Sequence, residues 1–174
     1  MTNEAQPDRL IAFYRDGARD DAGRTQAEIV AWDDERLEAV HDFIQWLFPL
    51  PERSGANPWA PVLTAETIAA FHATPAMRER LRESWERMLR FYGLGWNGSI
   101  VERAANFRER AENWLWPGNH NHLRLTRILR STLLLGLEAE SAALFRALNA
   151  IYREYPSRIS SRTHAFWNQS QVEL

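Results

Sequence analysis

Apolar positions in this chain recur every three or four residues, and strict alternation is absent, so the pattern predicts helices rather than strands. The segment from Pro7 and Asp8 to Gly17 predicts one short helix, with a stop residue in place at Gly17. Thr25 and Glu28 have capping-box spacing: the Thr hydroxyl can accept an orphan first-turn N–H while Glu reaches back. The short helix they open ends near Trp32. Asp33 can cap the next, with Asp34 and Glu35 favourable at its positive end. There Leu37, His41, Ile44 and Phe48 recur on one face, with Val40 and Leu47 beside them, until Pro49 and Pro51 stop the run. The Pro- and Gly-rich loop that follows is expected to be packed by Trp59.

Thr64 opens a helix through Phe71, and Thr74 with Pro75 restarts the chain as N-cap and first helical residue. From Pro75 to Tyr92, Met77, Leu81, Trp85, Met88 and Tyr92 form one stripe. Glu83 with Arg87 and Glu86 with Arg90 pair at i,i+4 on the outer face. Gly93 and Leu94 read as a Schellman ending. Ser99 and Glu102 have the spacing of a second capping box, with Ile100, Ala104, Phe107, Ala111 and Trp114 as the stripe behind it. "HNHLRLTRILRSTLLLG" is helical up to Gly136, a further helix runs from Glu138 toward Tyr155, and a last short one holds His164 and Trp167. The expectation is an all-α, single compact domain of about seven or eight helices over 1–174. Trp46 and Trp85 should be buried.

Composition narrows the chemistry. All 21 basic residues are Arg, which excludes a Lys nucleophile, a Schiff base and a phosphate-loop Lys. Cys is absent, so disulfides, thiolate metal sites and Cys catalysis are excluded. A net charge of -2 gives no overall basic field for nucleic acid or anionic membrane. The Arg-only, Ala-rich usage suggests a GC-rich, bacterial genome. The start, "MTNEAQPDRL", has neither a basic n-region nor an apolar h-region, and no apolar run approaches a membrane span. The expectation is a cytoplasmic protein.

Two constellations are candidate sites. In "HDFIQWLFPL", His41 and Gln45 at i,i+4 share one side of the expected helix, beside Trp46. They are either core groups satisfied by each other or by backbone, or a polar pair lining a pocket. In "PGNHNHLRLTR", Asn119 or Asn121 can cap a helix whose orphan N–H groups would attract an anion, with Arg124 or Arg127 near. Capping plus ion pairing explains the same residues without a ligand. His120 and His122, two apart on a helix, point roughly oppositely, so no metal site is expected. The arginines at positions 78, 80, 82, 87 and 90 are interrupted by glutamates, the mark of a solvated helix face.

Four strings, "FYR" at Phe13, "WDDERLEAVHDFIQWLFPL" from Trp32, "MLRFYGL" from Met88 and "HNHLRLTRIL" from His120, together resemble the conserved region of the opioid growth factor receptor family in content, order and spacing. The resemblance spans nearly the whole chain. It implies kinship with animal receptors that bind the pentapeptide Met-enkephalin, act in growth inhibition and are associated with the nucleus. Those receptors are unrelated to the seven-helix opioid receptors. No residue-level ligand site comes with the resemblance. The chain ends at Leu174 without a repetitive tail or Lys-rich nuclear signal, so nuclear import and enkephalin signalling are not expected to carry over.

The expected function is therefore a helical binding domain for a peptide-like or small anionic ligand, without cofactor or metal. The candidate ligand-binding residues are His41, Gln45, Trp46, His120, Asn121, His122, Arg124 and Arg127. The surplus of eight Trp supports recognition. The rival class is an enzyme using His and Arg in a pocket between helices. Nucleic-acid binding ranks last.

Overall fold

The computed structural model describes residues 8–172. They contain ten α-helices, one π-helical turn and one small hairpin, and they group into two compact units that divide between Leu81 and Arg82. Pro7 lies outside the described residues.

In the first unit, Asp8 caps α1 (Arg9–Ile11) by accepting from the Leu10 and Ile11 N–H groups. A π-helical turn, Ala12–Asp16, continues it and ends at Gly17, whose φ of 71° no β-carbon residue adopts readily. The predicted single helix is thus part α and part π. The wide turn places Phe13 and Tyr14 in the core together. Phe13 meets Trp46 at 5.2 Å, Tyr14 meets Phe71 edge-on at 5.0 Å, and the Tyr14 hydroxyl donates to the Leu47 carbonyl at 2.6 Å.

The Thr25–Glu28 box opens α2 (Gln26–Val30) as its spacing predicts, and Asp33 caps α3 (Asp34–Ala39) by accepting from Arg36 N–H. The expected single helix through Phe48 is broken. At Val40 the backbone turns extended, with φ -97° and ψ 132°, and α4 (Ile44–Leu47) starts afresh. An unbroken helix would have put His41 in the core with Leu37 and Ile44. The break instead leaves His41 exposed while Phe43, Ile44, Trp46, Leu47 and Phe48 are all buried. Side chains fix it: Trp32 meets Phe43 at 5.6 Å, and Arg24 bridges Asp20 and Asp42, the latter in the break itself. Trp59 does not pack its loop; it is 81% exposed. The Ser54 hydroxyl holds that loop by accepting from the Ala56 and Asn57 N–H groups. α5 (Ala65–Ala73) carries a Thr64–Thr67 capping box, and α6 (Pro75–Phe91) begins at the expected proline.

The stripe from Met77 to Tyr92 is buried throughout, as predicted. The outer-face assignment of Arg87 is corrected: it is buried. Arg78 donates to the Phe71 carbonyl and Arg80 to the Tyr14 carbonyl, so these arginines of the first unit clamp backbone rather than coat a solvated face.

In the second unit, β1 (Leu94–Trp96) and β2 (Val101–Arg103) form an antiparallel hairpin with Leu94 opposite Arg103 and Trp96 opposite Val101. Ser99 and Glu102 therefore belong to a hairpin, not a helix cap. The Asn97 side chain accepts from the Ser99 and Ile100 N–H groups, an Asx turn that outcompetes helix initiation. Gly93 is required before it: φ is 75°, and a β-carbon would sit 2.8 Å from Phe107 Cα. The helix behind the hairpin, α7, starts only at Phe107 and ends at Trp114. α8 (Asn121–Leu134) and α9 (Glu138–Glu154) pack as a pair, crossed by α10 (Ser161–Gln169). Leu125, Leu129, Leu144, Leu148 and Trp167 are buried there, and the Ser141 hydroxyl donates to the Leu129 carbonyl at 2.8 Å. Glu140 at the start of α9 pairs with Arg82 at 2.7 Å. The fold is mostly helical as expected, with more and shorter helices. Among the described residues no helix is long and apolar enough to cross a membrane.

Candidate functional site

The candidate residues fall into two groups, one in each unit. In the first, Trp46 is a core residue against Phe13, with the Arg9 guanidinium 4.9 Å from its ring centroid. Gln45 is buried and donates to the Ser54 hydroxyl at 3.3 Å, while its side-chain oxygen has no hydrogen-bond partner among the described residues. His41 lies in the helix break and faces solvent, so the two do not share a helix face.

The second group forms around the start of α8. Asn119, buried just ahead of it, is the capping residue: its side-chain oxygen accepts from Asn121 N–H at 2.8 Å and its carbonyl from His122 N–H at 3.1 Å. The His120 carbonyl accepts from the Leu123 and Arg124 N–H groups. These four N–H groups are thereby taken up within the turn, which corrects the expectation that they face a bound anion.

Behind this turn lies a buried polar and aromatic network. The His122 Nε2–H donates to the Trp114 carbonyl at 2.9 Å, which fixes Nδ1 as the unprotonated nitrogen of the neutral ring. The ring stands edge-on to Trp114 at 6.4 Å and to Trp167 at 6.1 Å. Burial pushes the His122 pKa below the ordinary histidine value; the bond to the carbonyl opposes this and nearby His120 adds to it. Trp114 Nε1 donates to the Tyr92 carbonyl at 3.1 Å, and both the Tyr92 hydroxyl and Arg124 donate to the Asn121 side-chain oxygen, at 3.4 and 3.3 Å. Arg124 is buried, and Arg127 is half-buried one turn on.

In front of the turn a cleft of about 270 Å³ opens between the first turns of α8 and the face of α10. His120 and His122 line it from the predicted ligand-binding set, with the cap candidate Asn119 beside them; Asn121, Arg124 and Arg127 do not. Leu123 and Phe166, 68% and 39% exposed, form its apolar walls. Arg162 lies over the Phe166 ring at 5.6 Å and has no carboxylate partner among the described residues. Arg162 and Phe166 escaped the sequence reading, which took from α10 only His164 and Trp167. Their i,i+4 spacing on a capped helix was the available signal.

The molecule so described is a mostly helical protein with an apolar-walled cleft edged by cationic and imidazole groups. A family profile described as "Opioid growth factor receptor (OGFr) conserved region" matches residues 19–156, and the chain belongs to that family. Among relatives, the mouse opioid growth factor receptor is 46% identical over 120 residues, covering 66% of this chain and 19% of that protein. The human receptor is 42% identical over 120 residues, covering 66% and 17%. Mouse opioid growth factor receptor-like protein 1 is 40% identical over 116 residues, covering 66% and 25%. The chain thus spans a quarter or less of the length of these relatives. No solved structure matches it.

Proposed function

We propose that this chain is a binding domain whose ligand is peptide-like and carries a carboxylate, seated in the cleft between α8 and α10. The observation that carries the reading is the meeting of exposed Leu123 and Phe166 with an Arg162 guanidinium that has no ion-pair partner among the described residues. Apolar walls take side chains, and a guanidinium fork matches a terminal carboxylate. His120 lies at the mouth. Asn121 and Arg124 act from behind, in the network that backs the turn, and Arg127 stands outside the cleft lining. His41, Gln45 and Trp46 belong to a separate polar and aromatic cluster, and the reading assigns the ligand to the α8 cleft.

Kinship with proteins named opioid growth factor receptors makes the pentapeptide Met-enkephalin a reasonable probe, without making it the physiological ligand. Calorimetric titration of the free-acid and C-terminally amidated pentapeptides is the test. The acid should bind at least ~10-fold more tightly, the scale of one charge-assisted hydrogen bond, and Arg162→Ala should abolish the difference. Equal affinities, or a preference that survives Arg162→Ala, would refute the reading.

One observation favours an enzyme instead: the cleft contains a histidine, His122, whose pKa is shifted by burial. Its Nε2–H is committed to the Trp114 carbonyl, which suits a structural role better than proton transfer. Cleavage products of the pentapeptide in a mass spectrum, lost in His122→Gln, would support the enzyme.

A further inference from the structure

A second cleft, of about 330 Å³, lies between α7 and the segment that follows α9. We propose that it is a binding site for a small amphipathic monocarboxylate, an aryl or alkyl group ending in one carboxyl. The proposal does not depend on the α8 cleft.

The floor is apolar: Phe107, Ala111 and Leu115 line it from α7 and its C-terminal end, each less than a tenth exposed. Half-buried Tyr155 closes one side. Arg108 and Arg158, both exposed, reach it from the two opposing segments. Neither guanidinium makes an ion pair or hydrogen bond among the described residues. Their neighbours are committed: Arg103 pairs with Glu154, and Arg110 donates to the Phe91 carbonyl. Two uncommitted cations at the rim of an apolar floor favour a ligand with an anionic head and a hydrocarbon body.

Glu112 refines the class. It also lines the cleft, one helical turn after Arg108, yet the two are not paired. It leaves the rim with a net charge of one positive unit, enough for a carboxylate. A phosphate dianion would keep one charge unneutralised at this rim and would cost more to desolvate against the apolar floor, so the site favours the singly charged head.

The test is ¹H–¹⁵N NMR titration of the full chain with 3-phenylpropionate and with phenyl phosphate. 3-Phenylpropionate should shift amides of residues 107–115 and 155–158 and should bind more tightly than phenyl phosphate. Arg108→Gln and Arg158→Gln, which keep much of the side-chain stem on the cleft wall, should each weaken it about 10-fold, the scale of a charge-assisted hydrogen bond. Glu112→Gln should narrow or reverse the preference. Arg162→Ala, in the other cleft, should leave this binding unchanged. Unfolding profiles by circular dichroism should match the wild type, because the four altered side chains are exposed. Shifts confined to other segments, affinity unchanged in both arginine variants, or phenyl phosphate bound as tightly as 3-phenylpropionate by the wild type would each overturn the proposal.

Discussion

Replacing His122 by Phe would separate what its ring contributes by shape from what it contributes by hydrogen bonding and charge. The side chain is 3% exposed, between Trp114 and Trp167, with its Nε2–H on the Trp114 carbonyl. Phenylalanine keeps an aromatic ring between the two indoles but orphans that carbonyl. A buried polar group left unsatisfied costs about 1–3 kcal/mol, so the variant should lose that much at pH 8. The pH dependence adds a second signature. The folded-state pKa of His122 is lowered, so between it and the unfolded value of about 6.5 the unfolded chain binds more protons than the native one. Stability therefore rises with pH in this window and is lost as pH falls from about 6.5 through the folded value. His164 is also lowered, by burial and then by Arg153, and contributes a slope of the same sign in both proteins. Asp16, Glu28 and Glu154, all lowered, act only at lower pH, below their unfolded carboxylate values. The difference between wild type and His122→Phe should therefore shrink from pH 8 to pH 5.5. Urea unfolding followed by circular dichroism at half-unit steps reads this directly. A variant within about 0.5 kcal/mol of wild type at pH 8, or a difference independent of pH, would refute the role assigned to this ring.

Three further expectations concern the scaffold. Gly93→Ala forces a left-handed φ on a residue whose β-carbon would meet Phe107 Cα at 2.8 Å, so it should lose at least about 2 kcal/mol in chemical denaturation; Gly98→Ala, in open space, should lose less. Asp20→Ala strips acceptors from the Ala22 and Arg24 N–H groups and a partner from the Arg24 guanidinium, and should cost about 3–5 kcal/mol, read as a lowered urea midpoint. Arg124→Ala should lower the melting temperature with little effect on pentapeptide affinity, whereas Arg162→Ala should do the reverse; the opposite pattern would return the anion to Arg124.

Local signals in the sequence were read well where one residue decides the backbone. The Thr25–Glu28 box, the Asp33 cap, the Thr74–Pro75 restart and the stop at Gly136 all fall where their chemistry predicts. The errors lie where long-range contacts override period. The run from Asp33 to Phe48 has a helical period, but the Arg24–Asp42 pair and the Trp32–Phe43 contact favour a break at Val40, and neither is visible from spacing. Ser99 and Glu102 matched a capping box, but the positive-φ glycines that flank β1, Gly93 and Gly98, and the Asn97 turn make a hairpin. At the proposed site the sequence reading named the turn before α8 but not the residues on its outward side. Asn119 and the His120 carbonyl absorb the N–H groups expected to bind an anion, and the exposed cation comes from Arg162, about forty residues on.

The central claim is that the cleft between α8 and α10 binds a carboxylate-bearing peptide. Its most direct test is to map the free-acid pentapeptide onto the ¹H–¹⁵N spectrum of the full chain. Amides of residues 118–126 and 162–166, which line the cleft, should shift in a saturable manner, with Leu123 and Phe166 among the largest. A spectrum unchanged at millimolar peptide, or shifts centred on the Gln45–Trp46 cluster or on the cleft beside Arg108, would contradict it.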